Sequence, residues 1–208
     1  MEISDSVSEG ECGVIIGLTG PTGAGKTTVS GMLETYGVQL IDCDRLAREV
    51  VMPGRPCLRE IRDVFGAGVL HADGSLDRSA LADMVFTDSQ QLQKLNDIMF
   101  SAIINEIKLR IRQLNETGAH ILIDAPTLFE SGAHRLCDII LVVLGSEENR
   151  MKRIVERDHL SEQNAGNRMR AQHAETFYRQ RADFVIENNG SLSDLKRQAA
   201  CFAKQYDL

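Results

Sequence analysis

The chain has 208 residues, 43% of them hydrophobic and 25% charged, with 23 Lys and Arg against 30 Asp and Glu for a net charge of −7. This is the composition of a folded globular domain rather than a disordered tract. With a pI near 5.3, it argues against a surface that wraps nucleic acid, and no apolar run approaches the roughly 20 residues that span a bilayer.

The first thirteen residues are acidic and lack the basic start of a signal or transit peptide, so they read as a flexible extension and the protein as cytoplasmic. Five cysteines (Cys12, Cys43, Cys57, Cys137, Cys201) are scattered with no CxxC or other metal-ligand spacing. They read as reduced thiols, not a zinc site or a disulfide framework.

The apolar run Val14–Leu18 predicts a buried strand, followed at once by a Gly-rich segment. Lys26–Tyr36 predicts a helix closed by Gly37. Val38–Ile41 is a second strand, ending in Asp42-Cys43-Asp44. A mostly helical stretch follows, broken at Pro53-Gly54 and Ala72-Asp73-Gly74, in which Arg78–Phe86 and Ser89–Leu114 carry helical apolar spacing. The Leu92, Leu95, Ile98 and Met99 stripe reads as core packing. Further strands are His120–Ile123, Ile139–Val143 and Asp183–Ile186. Strands alternating with helices predict an α/β fold with a five-stranded parallel sheet and helices on both faces. Ligands then gather at the C-terminal strand ends, where the Gly-rich loop, Asp44 and Asp124 all fall.

Gly20-Pro21-Thr22-Gly23-Ala24-Gly25-Lys26-Thr27 matches G-x-x-x-x-G-K-[ST] without a mismatch. The glycines let successive backbone N–H groups curl around phosphate oxygens, and the helix that follows adds its positive end. Lys26 reaches the β and γ phosphates, and the Thr27 hydroxyl suits Mg²⁺. The loop serves kinases, GTPases and ATPases alike. No N-K-x-D segment reads a guanine base, and the small size favours a kinase.

A kinase needs a carboxylate beside the acceptor hydroxyl. Asp44 is the candidate, with Asp42 as a helix N-cap or supporting group. Asp124, after Ile121-Leu122-Ile123, resembles a carboxylate that holds magnesium through water, or a strand-terminal turn former. Glu130 reads either as a group facing the same cleft or as a solvated helix residue. Arg150, Lys152, Arg153 and Arg157 fall on a helix after the fourth strand. Arg153 and Arg157 share one face, suited to a transferring phosphoryl group or to pairing with Glu147, Glu148 and Glu156.

The ordered set of segments resembles the dephospho-coenzyme A kinase family from Val14 to Leu195. It comprises Gly17-Leu18-Thr19-Gly20 with the phosphate loop, Ile41-Asp42-Cys43-Asp44 with Leu46-Ala47-Arg48, Pro53-Gly54, Asp73-Gly74-Ser75-Leu76-Asp77-Arg78, and Leu81 with Val85-Phe86. Then come Asp124-Ala125-Pro126 with Leu128-Phe129-Glu130, Arg153, Arg157-Asp158, and Ala182-Asp183-Phe184-Val185-Ile186-Glu187-Asn188-Asn189-Gly190. The resemblance implies a P-loop core (14–44, 119–150 and 182–208), a helical coenzyme-binding region (45–118) and a lid (about 151–181). It implies phosphorylation of the ribose 3′-hydroxyl of dephospho-coenzyme A by Mg-ATP, in a monomer or small homo-oligomer with no nucleic-acid or membrane partner.

Carried over by position, Asp44 is the general base, with Lys26 and Arg153 acting on the phosphoryl group. ATP falls to Gly20, Gly23, Ala24, Gly25, Lys26, Thr27, Thr28, Arg153, Arg157, Asn189 and Gly190. The coenzyme falls to Thr19, Asp44, Arg48, Arg78, Asp124, Pro126 and Glu130, and Mg²⁺ to Thr27 and, through water, Asp124. The chain departs from the family at Phe100-Ser101, where His-Pro is usual, and at Thr127-Leu128, where Leu-Leu is usual. It also lacks basic residues expected near Glu175 and Tyr178, although Arg179 and Arg181 lie close. The rival readings are a related kinase with a nucleoside or shikimate-like acceptor, a tRNA-modifying transferase, and an idle nucleotide-binding relative.

Overall fold

The computed structural model describes residues 13–208, so the expected N-terminal extension lies outside the described residues except for Gly13. Five strands, β1 (Ile15–Thr19), β2 (Gln39–Asp42), β3 (Ile121–Asp124), β4 (Ile139–Leu144) and β5 (Phe184–Glu187), form one parallel sheet in the order β2-β3-β1-β4-β5. The α/β architecture expected from the alternating pattern is the one present. Each strand runs one residue beyond the apolar stretch that announces it, because ladder bonds join backbones and ignore side-chain polarity. Asp42 pairs with Asp124, Leu18 with Asp124, and Thr19 with Val142. The two terminal carboxylates are therefore fixed by the sheet itself.

Alternation along the strands sends neighbouring side chains to opposite faces. Leu122 joins Ile16, Leu18, Leu33 and Phe202 on the face covered by α1 (Lys26–Glu34) and α9 (Leu192–Gln205). Ile121 and Ile123 join Leu46, Ile61 and Ile107 on the other face. That face is covered by α2 (Cys43–Glu49), α3 (Pro56–Phe65), α4 (Arg78–Val85) and the long α5 (Ser89–Asn115). Asp77 and Asp88 cap α4 and α5 by accepting first-turn amides, as carboxylates at helix starts do. The helix expected to reach Tyr36 ends at Glu34. Thr35, Tyr36 and Gly37 instead close tighter turns onto Met32, Leu33 and Glu34, before Gly37 at φ 88° turns the chain. After β4 come α6 (Glu147–Asp158), α7 (Glu162–Arg170) and α8 (Glu175–Arg179). Ile154, Ala165 and Met169 give α6 and α7 a small cluster of their own.

Gly20 joins β1 to the loop at φ 145°, and a Cβ there would sit 2.1 Å from the Val143 carbonyl oxygen on the neighbouring strand. Gly20→Ala is therefore expected to destabilise the fold by about 2–4 kcal/mol, combining backbone strain with overpacking against a rigid strand. Urea denaturation of the variant checks it.

Candidate active site

The phosphate loop lies between β1 and α1, and every carbonyl from Gly20 to Gly25 has a donor. Lys26 Nζ donates to the carbonyls of Gly20 at 2.8 Å and Pro21 at 3.4 Å. Arg150 Nε donates to Thr22 at 2.9 Å, and Arg153 Nη1 to Gly23 at 3.1 Å and Ala24 at 3.5 Å. Asn188 Nδ2 donates to Ala24 at 2.8 Å, and the amides of Thr28 and Val29 close on Gly25. A trans peptide points its N–H opposite its C=O. With the carbonyls turned to these donors, the amides turn the other way. The amides of Gly23, Gly25, Lys26 and Thr27 have no protein partner among the described residues. Gly25, left-handed at φ 102°, opens α1 with no side-chain cap, and a Cβ there would lie 2.2 Å from Asn188 Nδ2.

These amides open onto a cavity of about 760 Å³, large enough for a nucleotide. Lys26, Thr27 and Thr28 line it on the loop side, and Asp42, Asp44 and Asp124 on the other. Asp42 is the N-cap of α2 and accepts from the Arg45 amide at 3.0 Å, while Asp44 lies in the exposed first turn of the same helix. A second recess of about 210 Å³ shares Asp44 and Pro126 with the first and is walled by Ala47, Leu95, Met99 and Phe100. The residue that departs from the family's His-Pro therefore borders the apolar recess beside Asp44.

Several expected residues stand elsewhere. Thr19 is fully buried, its hydroxyl donating to the Pro126 carbonyl at 3.5 Å. Arg48 and Arg78 are exposed and line neither cavity. Glu130 sits in a turn rather than a helix and faces His173 at 3.2 Å, away from the main cavity. Asn189 holds the Ser146 amide at 2.6 Å, and a Cβ on Gly190 would strike Asp194. Arg153 and Arg157 do line the cavity. Arg153, however, commits its guanidinium to loop carbonyls and to the Asn188 carbonyl at 3.0 Å, and Arg157 pairs with Asp158 at 2.7 Å. Arg153 makes none of the glutamate pairs that its helix offers. Three contributors carried no signal as contacts of the loop: Arg150, Gln172 and the side chain of Asn188. Their partners are backbone atoms distant in sequence, which no motif encodes.

Burial lowers the pKa of Lys26, with Asp124 and Asp44 opposing and Arg157 and Arg150 adding to the fall. Cys43, beside the recess, is pushed to about 12 by burial and then by Asp124, Asp42 and Asp44, so it stays a neutral thiol. Asp124 is raised to about 6, chiefly by burial, with Lys26 pulling it down and Asp42 and Asp44 pushing it up. A carboxyl raised on folding binds a proton in the folded chain that the unfolded chain has already released. The stability it contributes is complete below the unfolded value near 3.8 and is lost as pH rises through about 6. Asp124→Asn is thus expected to stabilise the free protein by about 1–2 kcal/mol at neutral pH, with the gain fading below about pH 4. Urea denaturation of both proteins across that range checks it.

Comparison with known proteins agrees with this geometry. The profile of the family described as dephospho-CoA kinase matches residues 14–194. A dephospho-CoA kinase of Moorella thermoacetica is 44% identical over 180 residues, covering 86% of this chain and 85% of that protein. One of Corynebacterium glutamicum is 41% identical over 182 residues, covering 87% and 93%. A solved structure from Thermus thermophilus superposes with a TM-score of 0.78 at 34% identity, covering 94% of this chain and 98% of that one. This chain belongs to the dephospho-CoA kinase family.

Proposed function

We propose that this protein transfers the γ-phosphoryl group of ATP to the ribose 3′-hydroxyl of dephospho-CoA, giving CoA and ADP in the last step of CoA biosynthesis. One observation carries the reading. A single cavity sets Lys26 and four loop amides, without partners among the described residues, against the carboxylate of Asp44, with an apolar recess opening beside that carboxylate. Amides and an ammonium bind a triphosphate, the carboxylate orients an alcohol, and the recess takes the less polar part of a large acceptor. A small acceptor such as shikimate would leave the recess empty.

In the transfer, Asp44 accepts the proton of the 3′-hydroxyl as its oxygen forms a bond to the γ-phosphorus. The bond from that phosphorus to the β–γ bridging oxygen breaks, and ADP leaves. The loop amides stabilise charge on the oxygens in transit because they are already aimed and need no reorganisation, and Lys26 adds its positive charge. Lys26 leaves the carbonyls of Gly20 and Pro21 to do so, and a phosphate restores the charge partner that burial denies it. Arg157, beside the cavity with Asp158 and Arg168, supplies further positive charge.

Among the described residues no group of three or more His, Cys, Asp or Glu could hold a metal alone. The donor set here, one threonine hydroxyl and nearby carboxylates, fits the sparse protein coordination of Mg²⁺, which keeps several waters and binds substrate phosphates. Thr27 and, through water, Asp124 would hold it, and it would supply positive charge to the triphosphate. The same reading places the enzyme in the cytoplasm as a monomer or small homo-oligomer, with dephospho-CoA as its partner and no nucleic acid. Among the described residues no helix is long and apolar enough to cross a membrane.

A coupled assay for ADP, run with dephospho-CoA, with shikimate, with a nucleoside and with no acceptor, tests the reading. ADP release that depends on dephospho-CoA is expected, and release only with a small acceptor would overturn it. Asp44→Asn is expected to lower kcat by about 10²–10⁴-fold with ATP binding retained. Near-normal turnover in that variant would remove the base assignment. Lys26→Ala is expected to abolish measurable turnover at any ATP concentration while the fold persists.

A further inference from the structure

Gln172 lies between α7 and α8, its own amide tied back to the Met169 carbonyl at 3.2 Å. Its side chain is half-buried and lines the ATP-sized cavity. The side-chain oxygen accepts from the Thr22 amide at 2.8 Å and from Arg150 Nη2 at 3.4 Å. Arg150 Nε in turn donates to the Thr22 carbonyl at 2.9 Å. The three residues close a ring around two successive peptides of the phosphate loop. Gln172 holds the peptide joining Pro21 and Thr22, and Arg150 holds the peptide joining Thr22 and Gly23.

The second peptide is the one whose N–H belongs to Gly23. Because a trans peptide points its two polar groups in opposite directions, seating the Thr22 carbonyl on Arg150 aims the Gly23 amide toward the cavity. Arg150 is fixed there by the oxygen of Gln172. The linker that carries Gln172 is itself secured: His173 faces Glu130 at 3.2 Å and stacks on Phe177 with 3.8 Å between ring centroids.

We propose, building on the kinase reading above, that Gln172 is a positioning residue for ATP: its side-chain oxygen pins the Thr22 amide and Arg150 so that the Gly23 amide is aimed at the phosphates before the nucleotide arrives. It touches no reacting atom. Its effect therefore falls on nucleotide affinity and not on the acceptor.

The test uses the full chain in two variants. Gln172→Met keeps the length and removes the oxygen, while Gln172→Glu keeps an acceptor for both donors. Amide exchange followed by NMR reads the Thr22 peptide directly. Titration with a non-hydrolysable ATP analogue, with no acceptor present, reads affinity independently of the assignment of dephospho-CoA. The expected result is a Thr22 amide protected in the wild type and in Gln172→Glu but fast-exchanging in Gln172→Met. The analogue should bind Gln172→Met about tenfold more weakly, the loss of one well-placed hydrogen bond. In steady-state assays the KM for ATP should rise in Gln172→Met while that for dephospho-CoA stays within about twofold. Equal Thr22 exchange in the wild type and Gln172→Met, or unchanged affinity, would overturn the proposal and leave the kinase reading standing. A wild-type chain that bound no ATP analogue would overturn both.

Discussion

A backbone can present its amides to a ligand only if its carbonyls are accepted somewhere else, and this requirement organises the site. Lys26 takes the carbonyls of Gly20 and Pro21, Arg150 that of Thr22, and Arg153 with Asn188 those of Gly23 and Ala24. Buried carbonyls left without donors would each cost on the order of 1–3 kcal/mol. The outer shell of cations is thus the structural counterpart of the inner row of amides. It also explains why α6 packs where it does: its arginines reach the loop from outside, while its one fully buried side chain, Ile154, packs against α7.

The opposite wall obeys a different rule. Asp42 and Asp124 are paired residues of adjacent strands, and Asp44 follows two positions on. Asp124, buried at this wall beside Asp42 and Asp44, is raised to about 6 and resists ionisation until positive charge arrives. Lys26 supplies part of it. On the function proposed above, a divalent cation carried in by the nucleotide would supply the remainder. The free protein therefore sits above its lowest attainable energy at this wall, as sites built for charge commonly do.

Much of this was legible before any coordinates. The phosphate loop, the strand order of events and the acidic strand ends follow from backbone rules that short segments encode: glycine where the chain must turn left-handed, apolar runs where strands are buried, aspartate where a helix begins. Asp42 as a cap and Asp44 beside the loop belong to that class. Arg153 does not. Its partners are carbonyl oxygens of residues 23 and 24, and spacing on α6 could offer only phosphate or glutamate as alternatives. Gln172 was unreadable for the same reason, since its contact with Thr22 spans 150 positions. Thr19, Arg48, Arg78 and Glu130 lie in segments that resemble the family, yet segment position does not specify whether a side chain points into a cavity, into the core or to water.

Lys26, lying across the carbonyls of Gly20 and Pro21, has a kinetic consequence. The loop is already wound around an internal cation, so an incoming triphosphate meets a formed receptor and needs only the swing of one side chain. Beyond diffusional encounter, the loop itself then asks only for the rotation of a lysine stem, a motion of about nanoseconds, and not for ordering of its backbone.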